Sequence, residues 1–149
     1  MLTNSDLIEL LRICTESKVK YLVIGGYAVM RYSEPRYTKD LDLWVRVDSE
    51  NASAVISALR AFGVPLAGVT AEDFMKTGNF YQMGFPPVRV DILTSIPGVE
   101  FDAAWDRRQE VNFDGILIPF ISKEDLIASK RASGRPQDLL DVEALNKTS

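Results

Sequence analysis

Histidine is absent from the 149 residues, and cysteine occurs once, at Cys14. The first absence removes Ser-His-Asp and Cys-His catalysis, imidazole general bases and His-ligated zinc, leaving the chemistry to carboxylates and lysine. The second rules out an internal disulfide and suits a reducing cytoplasm. Cys14 falls at helical spacing with Leu7, Leu10 and Leu11, so it reads as a buried structural thiol rather than a nucleophile. No apolar run approaches the roughly 20 residues that span a bilayer, and the N-terminus carries no signal-peptide pattern. No third glycine follows Gly25-Gly26 at the spacing of a dinucleotide fingerprint, and no Gly-Lys-Ser/Thr marks a Walker loop. Repeats, low-complexity segments and linkers are lacking too. The expectation is one domain, 1–149.

The remaining composition, 46% apolar and 26% charged, is that of a soluble globular chain. A net charge of −4 argues against broad nucleic-acid binding by the whole surface. Local charge runs the other way. Arg31, Arg36, Lys39, Arg46 and Arg89 all fall in or beside the segment that carries the chemistry, where they could neutralise a triphosphate or a nucleic-acid end.

That segment is Tyr21 to Val45. Tyr21-Leu22-Val23-Ile24 reads as a buried strand. Gly25-Gly26 ends it, and Tyr27 to Arg31 fits one or two turns of helix. Paired glycines between a strand and a helix start let the backbone approach a ligand, with free N–H groups and the positive end of the helix facing it. After a loop marked by Pro35 comes Asp40-Leu41-Asp42-Leu43-Trp44-Val45. On a strand, Asp40 and Asp42 share a face about 7 Å apart, close enough for both carboxylates to reach one metal, or a pair of metals roughly 4 Å apart.

The rest of the chain reads as alternating elements. A first helix starts near Thr3 to Asp6 and runs to about Ser17. A second follows Val47-Asp48-Ser49-Glu50 and stops at Gly63, and Thr70 caps a short one. Asn79 to Met83 and Val88 to Leu93 read as strands joined across Gly84-Phe85-Pro86-Pro87. In the latter, Arg89, Asp91 and Leu93 share one face. Asp91 is either an edge-strand acid facing water or a third carboxylate beside the Asp-x-Asp pair. Phe101 to Arg107 suits a short helix, and Asp114-Gly115 a hairpin turn between Glu110–Phe113 and Ile116–Phe120. Ser122 caps a helix bearing Lys130 that ends near Gly134. Pro136 opens a last one, Gln137 to Leu145, whose apolar side is expected to be Leu139, Leu140, Val142 and Leu145. Trp44 and Trp105 are expected in or near the core, and Tyr27 packs either on nucleotide or on protein.

A Gly-Gly turn followed by Asp-x-Asp on a strand resembles the polymerase-β-like nucleotidyltransferase superfamily. With Arg36-x-Thr38-x-Asp40, it is similar to the small bacterial nucleotidyltransferases related to AbiEii-type toxins. The resemblance implies an α/β (α+β) fold, a mixed sheet flanked by helices with a C-terminal helical pair. It implies that Gly25 and Gly26 hold nucleotide phosphates, that Asp40 and Asp42 bind Mg²⁺ (or Mn²⁺), and that Asp91 completes the site. Arg36 and Lys39 would neutralise charge as pyrophosphate leaves, and Thr38 would cap or bond near the phosphates. Lys130, and Asp138 on the next helix, correspond to groups that contact the nucleotide and support the acids. The sequence departs in having Gly-Gly for Gly-Ser, which removes a phosphate-binding hydroxyl. It also has Gln137 where a basic residue is common, and a shorter lysine-to-aspartate spacing.

The expected activity is therefore metal-dependent transfer of an NMP from an NTP to a hydroxyl-bearing acceptor. The acceptor is a tRNA 3′ end, a protein side chain or a small compound such as an antibiotic, and a toxin–antitoxin or defence system is one setting. Little chain remains for a separate acceptor domain, which leaves the acceptor to a second copy or a small helical partner. The alternative is a non-catalytic interaction module that keeps the fold. Against it stand three carboxylates that a dead copy has no chemical reason to retain. A glycosyltransferase using Asp-x-Asp would need a longer chain.

Overall fold

The first helix, α1 (Ser5–Glu16), buries Leu7, Leu10, Leu11 and Cys14 along one stripe. Burial pushes the Cys14 thiol up to about 12, so it is inert at neutral pH. The chain then enters β1 (Tyr21–Ile24), all four residues of which are buried. The computed structural model describes residues 5–35, 38, 40–85 and 88–147, with the side chains of 85 and 88 outside that description. Within it the strands are β1, β2 (Asp40–Val45), β3 (Phe80–Phe85), β4 (Val88–Leu93), β5 (Gln109–Phe113) and β6 (Ile116–Phe120). They form one mixed six-stranded sheet in the order β3-β4-β2-β1-β6-β5. The β2–β4 and β1–β6 pairs are parallel, and the others antiparallel. The hairpin between β5 and β6 turns at Asp114 (φ 51°) and Gly115 (φ 85°), the positive-φ pair the sequence offers there.

The remaining helices are α2 (Gly25–Tyr32), α3 (Ser49–Phe62), α4 (Phe101–Asp106), α5 (Lys123–Ser133) and α6 (Pro136–Asn146), with a 3-10 turn at Ala71–Met75. Alternation along β2 sets the two faces of the sheet. Leu41 and Leu43, 0% and 2% exposed, point away from the acids. Tyr81 lies on that same leucine face and packs edge-on against Phe74 of the 3-10 turn, which in turn packs with α3. On the acid face, α2 packs against β1 and β2 and meets α5 and α6. The Tyr32 hydroxyl donates to the Ile121 carbonyl at 2.6 Å, tying the end of α2 to the exit of β6. At the far end of the acid face Trp44 is buried under Phe101, and Trp105 stacks on Phe101, so both tryptophans are packing residues.

Of the two readings of Asp91, the edge acid facing water falls: β4 lies between β3 and β2, and Asp91 is an interior acid, 7% exposed. Two sequence expectations change. The glycines do not precede the helix but open it, because the chain passes from strand to helix with no intervening loop. And α6 buries Asp138, Asp141, Val142 and Leu145, leaving Leu139 and Leu140 45% and 58% exposed. Four residues at i, i+3, i+4 and i+7 share a helical stripe, whereas adjacent leucines diverge by about 100°. The expected start of α1 at Thr3 lies outside the described residues.

Asn51, which the sequence reading passed over, is buried where β1, β2 and α3 meet. Its amide accepts from the Lys20 N–H at 2.7 Å and donates to the carbonyls of Lys20 (3.1 Å) and Arg46 (2.8 Å). Asn51→Ala removes the bonds to the Lys20 N–H and the Arg46 carbonyl at about 1 kcal/mol or more each, while the Lys20 carbonyl keeps the Arg46 N–H at 3.2 Å, so a destabilisation of about 2 kcal/mol is expected from denaturant melts.

Candidate active site

The site begins where β1 meets α2. Ile24 stands opposite Asp42 across the β1–β2 ladder, so the glycine after it emerges beside the Asp42 side chain. Gly25 takes φ +69°, and a Cβ built there would lie 1.9 Å from Asp42 Oδ2. A Cβ on Gly26 would lie 2.7 Å from Thr38 Oγ1. The two glycines therefore exist for close approach on both sides. Ile24, at the N-cap of α2, has no side chain that could bond the first backbone N–H groups of the helix, which suits them to an anionic ligand. Gly25→Ala is expected to push the Asp42 carboxylate aside and to strain the backbone by about 1 kcal/mol or more. A lowered melting temperature together with a lost response to Mg²⁺-NTP checks it.

The β2–β4 ladder sets Asp42 directly opposite Asp91 and Asp40 directly opposite Arg89. Burial, the charge and hydrogen bond of Asp91, and the charge of Asp40 together push the Asp42 carboxyl up to about 8, with Lys130 opposing. Metal-free Asp42 thus keeps its proton near neutral pH. Asp40 pairs with Arg89, Nε to Oδ1 at 3.5 Å, but that contact does not make a hydrogen bond. Asp40 Oδ1 and Asp91 Oδ1 are buried without a hydrogen-bond partner among the described residues. Two orphaned carboxylate oxygens and an acid held protonated by its acidic neighbours form a donor set that suits a hard divalent cation. The set is not preassembled: among the described residues, no three acidic side chains already stand at metal-ligating spacing. Ligation requires the Asp42–Asp91 contact to open.

Asp42 and Asp91 open into a cavity of about 310 Å³. Gly25 and the apolar Phe80, Leu93 and Ile96 line one part of it, and Lys130, Ser133, Arg135 and Asp138 another. Lys130 Nζ bonds Asp138 at 3.2 Å and Asp141 at 2.9 Å, bridging α5 to α6. Ser133 Oγ and Arg135 Nε also donate to Asp138. Burial acts to raise the Asp138 carboxyl, but the bonds from Ser133, Arg135 and Lys130 hold it below the ordinary carboxylate range. α5 is itself fixed by its Ser122 cap and by Arg107, which grips Asp125 with two nitrogens at 2.8 and 3.0 Å.

The structure thus brings Gly25, Asp42, Asp91 and Lys130 to one cavity, with Asp40 next along the strand and Gly26 next in the helix. The Thr38 hydroxyl donates to the Asp40 carbonyl at 3.3 Å, a local structural bond beside Gly26. Arg36 and Lys39 lie outside the described residues. Arg46 does not join the site: it sits past the other end of β2, paired with Asp48 and Asp102. Arg31 is exposed over the Tyr32 ring, and Tyr27 packs against the core. Ser133, Arg135 and Phe80 were missed, and Asp141, the second acid of the Asp-x-x-Asp stretch that opens α6, was given no role of its own. The i, i+3 spacing of Asp138 and Asp141, in phase with Val142 and Leu145, was the signal for Asp141. Phe80 carried none.

Comparison with known proteins bears on the fold and the family. No curated protein sequence matches the chain. Among solved structures, the lincosamide antibiotic adenylyltransferase LnuA, lincomycin-bound, superposes with a TM-score of 0.63 at 19% identity, covering 99% of this chain and 98% of that one. The antibiotic-resistance factor ANT(2'')-Ia superposes with a TM-score of 0.62 at 12% identity, covering 96% and 82%. An antigenic nucleotidyltransferase-like protein from Paracoccidioides brasiliensis gives 0.57 at 19%, covering 94% and 74%. At these identities the likeness establishes the nucleotidyltransferase fold. The family described as nucleotidyltransferase of unknown function (DUF6036) matches residues 5–146, nearly the whole chain, and this protein belongs to it.

Proposed function

We propose that this single domain transfers a nucleoside monophosphate from an NTP to a hydroxyl-bearing acceptor, with Mg²⁺ (or Mn²⁺) held by Asp40, Asp42 and Asp91. The observation that carries the reading is the placement of Asp42 against both Asp91 and the glycine-opened start of α2. Backbone N–H groups of Gly25 and Gly26 receive the β- and γ-phosphates, assisted by the helix dipole. The metal, when bound, polarises the α-phosphate and neutralises charge as pyrophosphate departs. Asp91 takes the proton of the attacking hydroxyl. Lys130 has a third N–H beyond its two bonds to α6, available to a phosphate oxygen. Arg36, Lys39 and Thr38 complete the phosphate side.

One structural relative is described with lincomycin bound and another in complex with adenylyl-2''-tobramycin, which supports a hydroxylated acceptor. A tRNA 3′ end and a protein side chain are the other candidates, with a defence or toxin–antitoxin setting and a cytoplasmic location. Among the described residues, no helix is long and apolar enough to cross a membrane. The test is incubation with each labelled NTP and Mg²⁺ in the presence of total tRNA, cell lysate, lincosamides or aminoglycosides, following the label. Failure of every NTP to bind at millimolar concentration with Mg²⁺ refutes the proposal.

A further inference from the structure

We infer that the acceptor is a small hydroxylated compound with an apolar or ring face, and that Phe80 is the side chain that selects it. The inference rests on the proposed role of Asp42 and Asp91 as the reacting centre. Phe80 is 57% exposed, yet it lines the cavity that holds both acids. It is not at a frayed end. The preceding Asn79 N–H donates to Thr94 Oγ1 at 2.8 Å, and the Thr94 N–H returns to the Asn79 carbonyl at 3.0 Å. Its neighbour Tyr81 is held on the other face, edge-on to Phe74 at 5.0 Å between ring centroids. Alternation then keeps Phe80 on the acid face, opposite Leu93. With Leu93, Ile96 and Pro97 it forms an apolar wall.

Strand order indicates which substrate meets that wall. Crossing the sheet from β1, one passes the glycine start of α2, Asp42 on β2, Asp91 on β4 and Phe80 on β3. In an in-line displacement the attacking oxygen stands opposite the leaving group. With pyrophosphate over the glycines, the attacking hydroxyl enters from the β4–β3 side. Its oxygen bonds the α-phosphorus and its proton passes to Asp91. The bond to the bridging oxygen breaks, and pyrophosphate leaves with the electron pair. The rest of the acceptor then lies on Phe80. The wall has little to offer a polyphosphate chain. Lys130 and Arg135, the basic residues among the described cavity lining, stand on the helical-pair side of the cavity and not in this wall.

The test compares the parent with Phe80→Ala and Phe80→Tyr. It uses the melting shift caused by Mg²⁺-NTP and mass-spectrometric detection of nucleotidylated lincomycin, tobramycin, deacylated tRNA and the chain itself. Transfer to a ring compound is expected. In Phe80→Ala its KM should rise at least about tenfold with a smaller change in kcat, and Phe80→Tyr should restore it. The Mg²⁺-NTP melting shift should be the same in all three. Three results overturn the inference and leave the nucleotidyltransferase reading standing: transfer to tRNA or protein instead, transfer to none of the ring compounds despite a Mg²⁺-NTP shift, or a weaker shift in Phe80→Ala, which would put Phe80 on the nucleobase. Absence of any Mg²⁺-NTP shift in the parent removes both readings.

Discussion

Asp42→Asn is expected to lower Mg²⁺-dependent NTP chemistry by at least about a hundredfold while leaving the metal-free fold as stable as the parent, or more so. The amide keeps the shape of the carboxyl but cannot ionise beside Asp91 and Asp40. The parent, by contrast, holds a proton on Asp42 up to about pH 8, whereas an unfolded aspartate loses it near its ordinary 3.8. Between those values the folded state binds more protons than the unfolded one. Metal-free stability therefore falls as pH rises through this window, by at most about 1.4 kcal/mol per pH unit. Asp42→Asn should flatten that fall. Mg²⁺ must displace the Asp42 proton, so its affinity for the parent should increase from pH 6 to pH 8.5. Thermal melts across pH, with and without Mg²⁺-NTP, read all of these. A variant that melts lower than the parent yet keeps its Mg²⁺-NTP shift would falsify the metal-site assignment.

Lys130→Met is expected to be the most destabilising single change in the helical pair, by about 3 kcal/mol. Lys130, Asp138 and Asp141 have side chains only 11%, 12% and 6% exposed, and the ammonium is the charge that binds both acids at once. Removing it leaves two buried carboxylates on one face of α6 with only part of their compensation: Arg135 and Ser133 for Asp138, Gln137 among the partners of Asp141. Arg135→Met offers the contrast. Its side chain is 78% exposed, so its bond to Asp138 is screened by water and should be worth no more than about 1 kcal/mol. Urea melts of the two variants check the ranking. Equal, small losses would mean that the α5–α6 contact is held by Leu126, Val142 and Leu145 alone.

Local rules account for what the sequence made legible. Strands and helices followed from period-2 and period-3.6 patterns. Asp48, Thr70, Ser122, Gly63, Gly134 and Asp114-Gly115 marked boundaries that the structure keeps, because caps and turns depend on only a few neighbouring residues. Asp40 and Asp42 could be placed on one face for the same reason. α6 misled because its buried stripe is half acidic. Apolar periodicity looks for leucines, and here a lysine from another helix makes two aspartates the residues to bury.

By itself, then, the sequence determined the elements, the exclusion of histidine and disulfide chemistry, and the likeness of Gly25-Gly26 and Asp40-x-Asp42 to a nucleotidyltransferase motif. Only the tertiary structure decided that β4 lies between β3 and β2, which settles the open choice for Asp91 by setting it opposite Asp42 and away from the sheet edge. The same folding sets Gly25 against Asp42 Oδ2, holds Lys130 at the cavity, and leaves Phe80 exposed on the acid face. These are contacts between segments tens of residues apart. Strand order and helix docking create them through the burial of a shared core, and no local pattern encodes which strand will lie beside which.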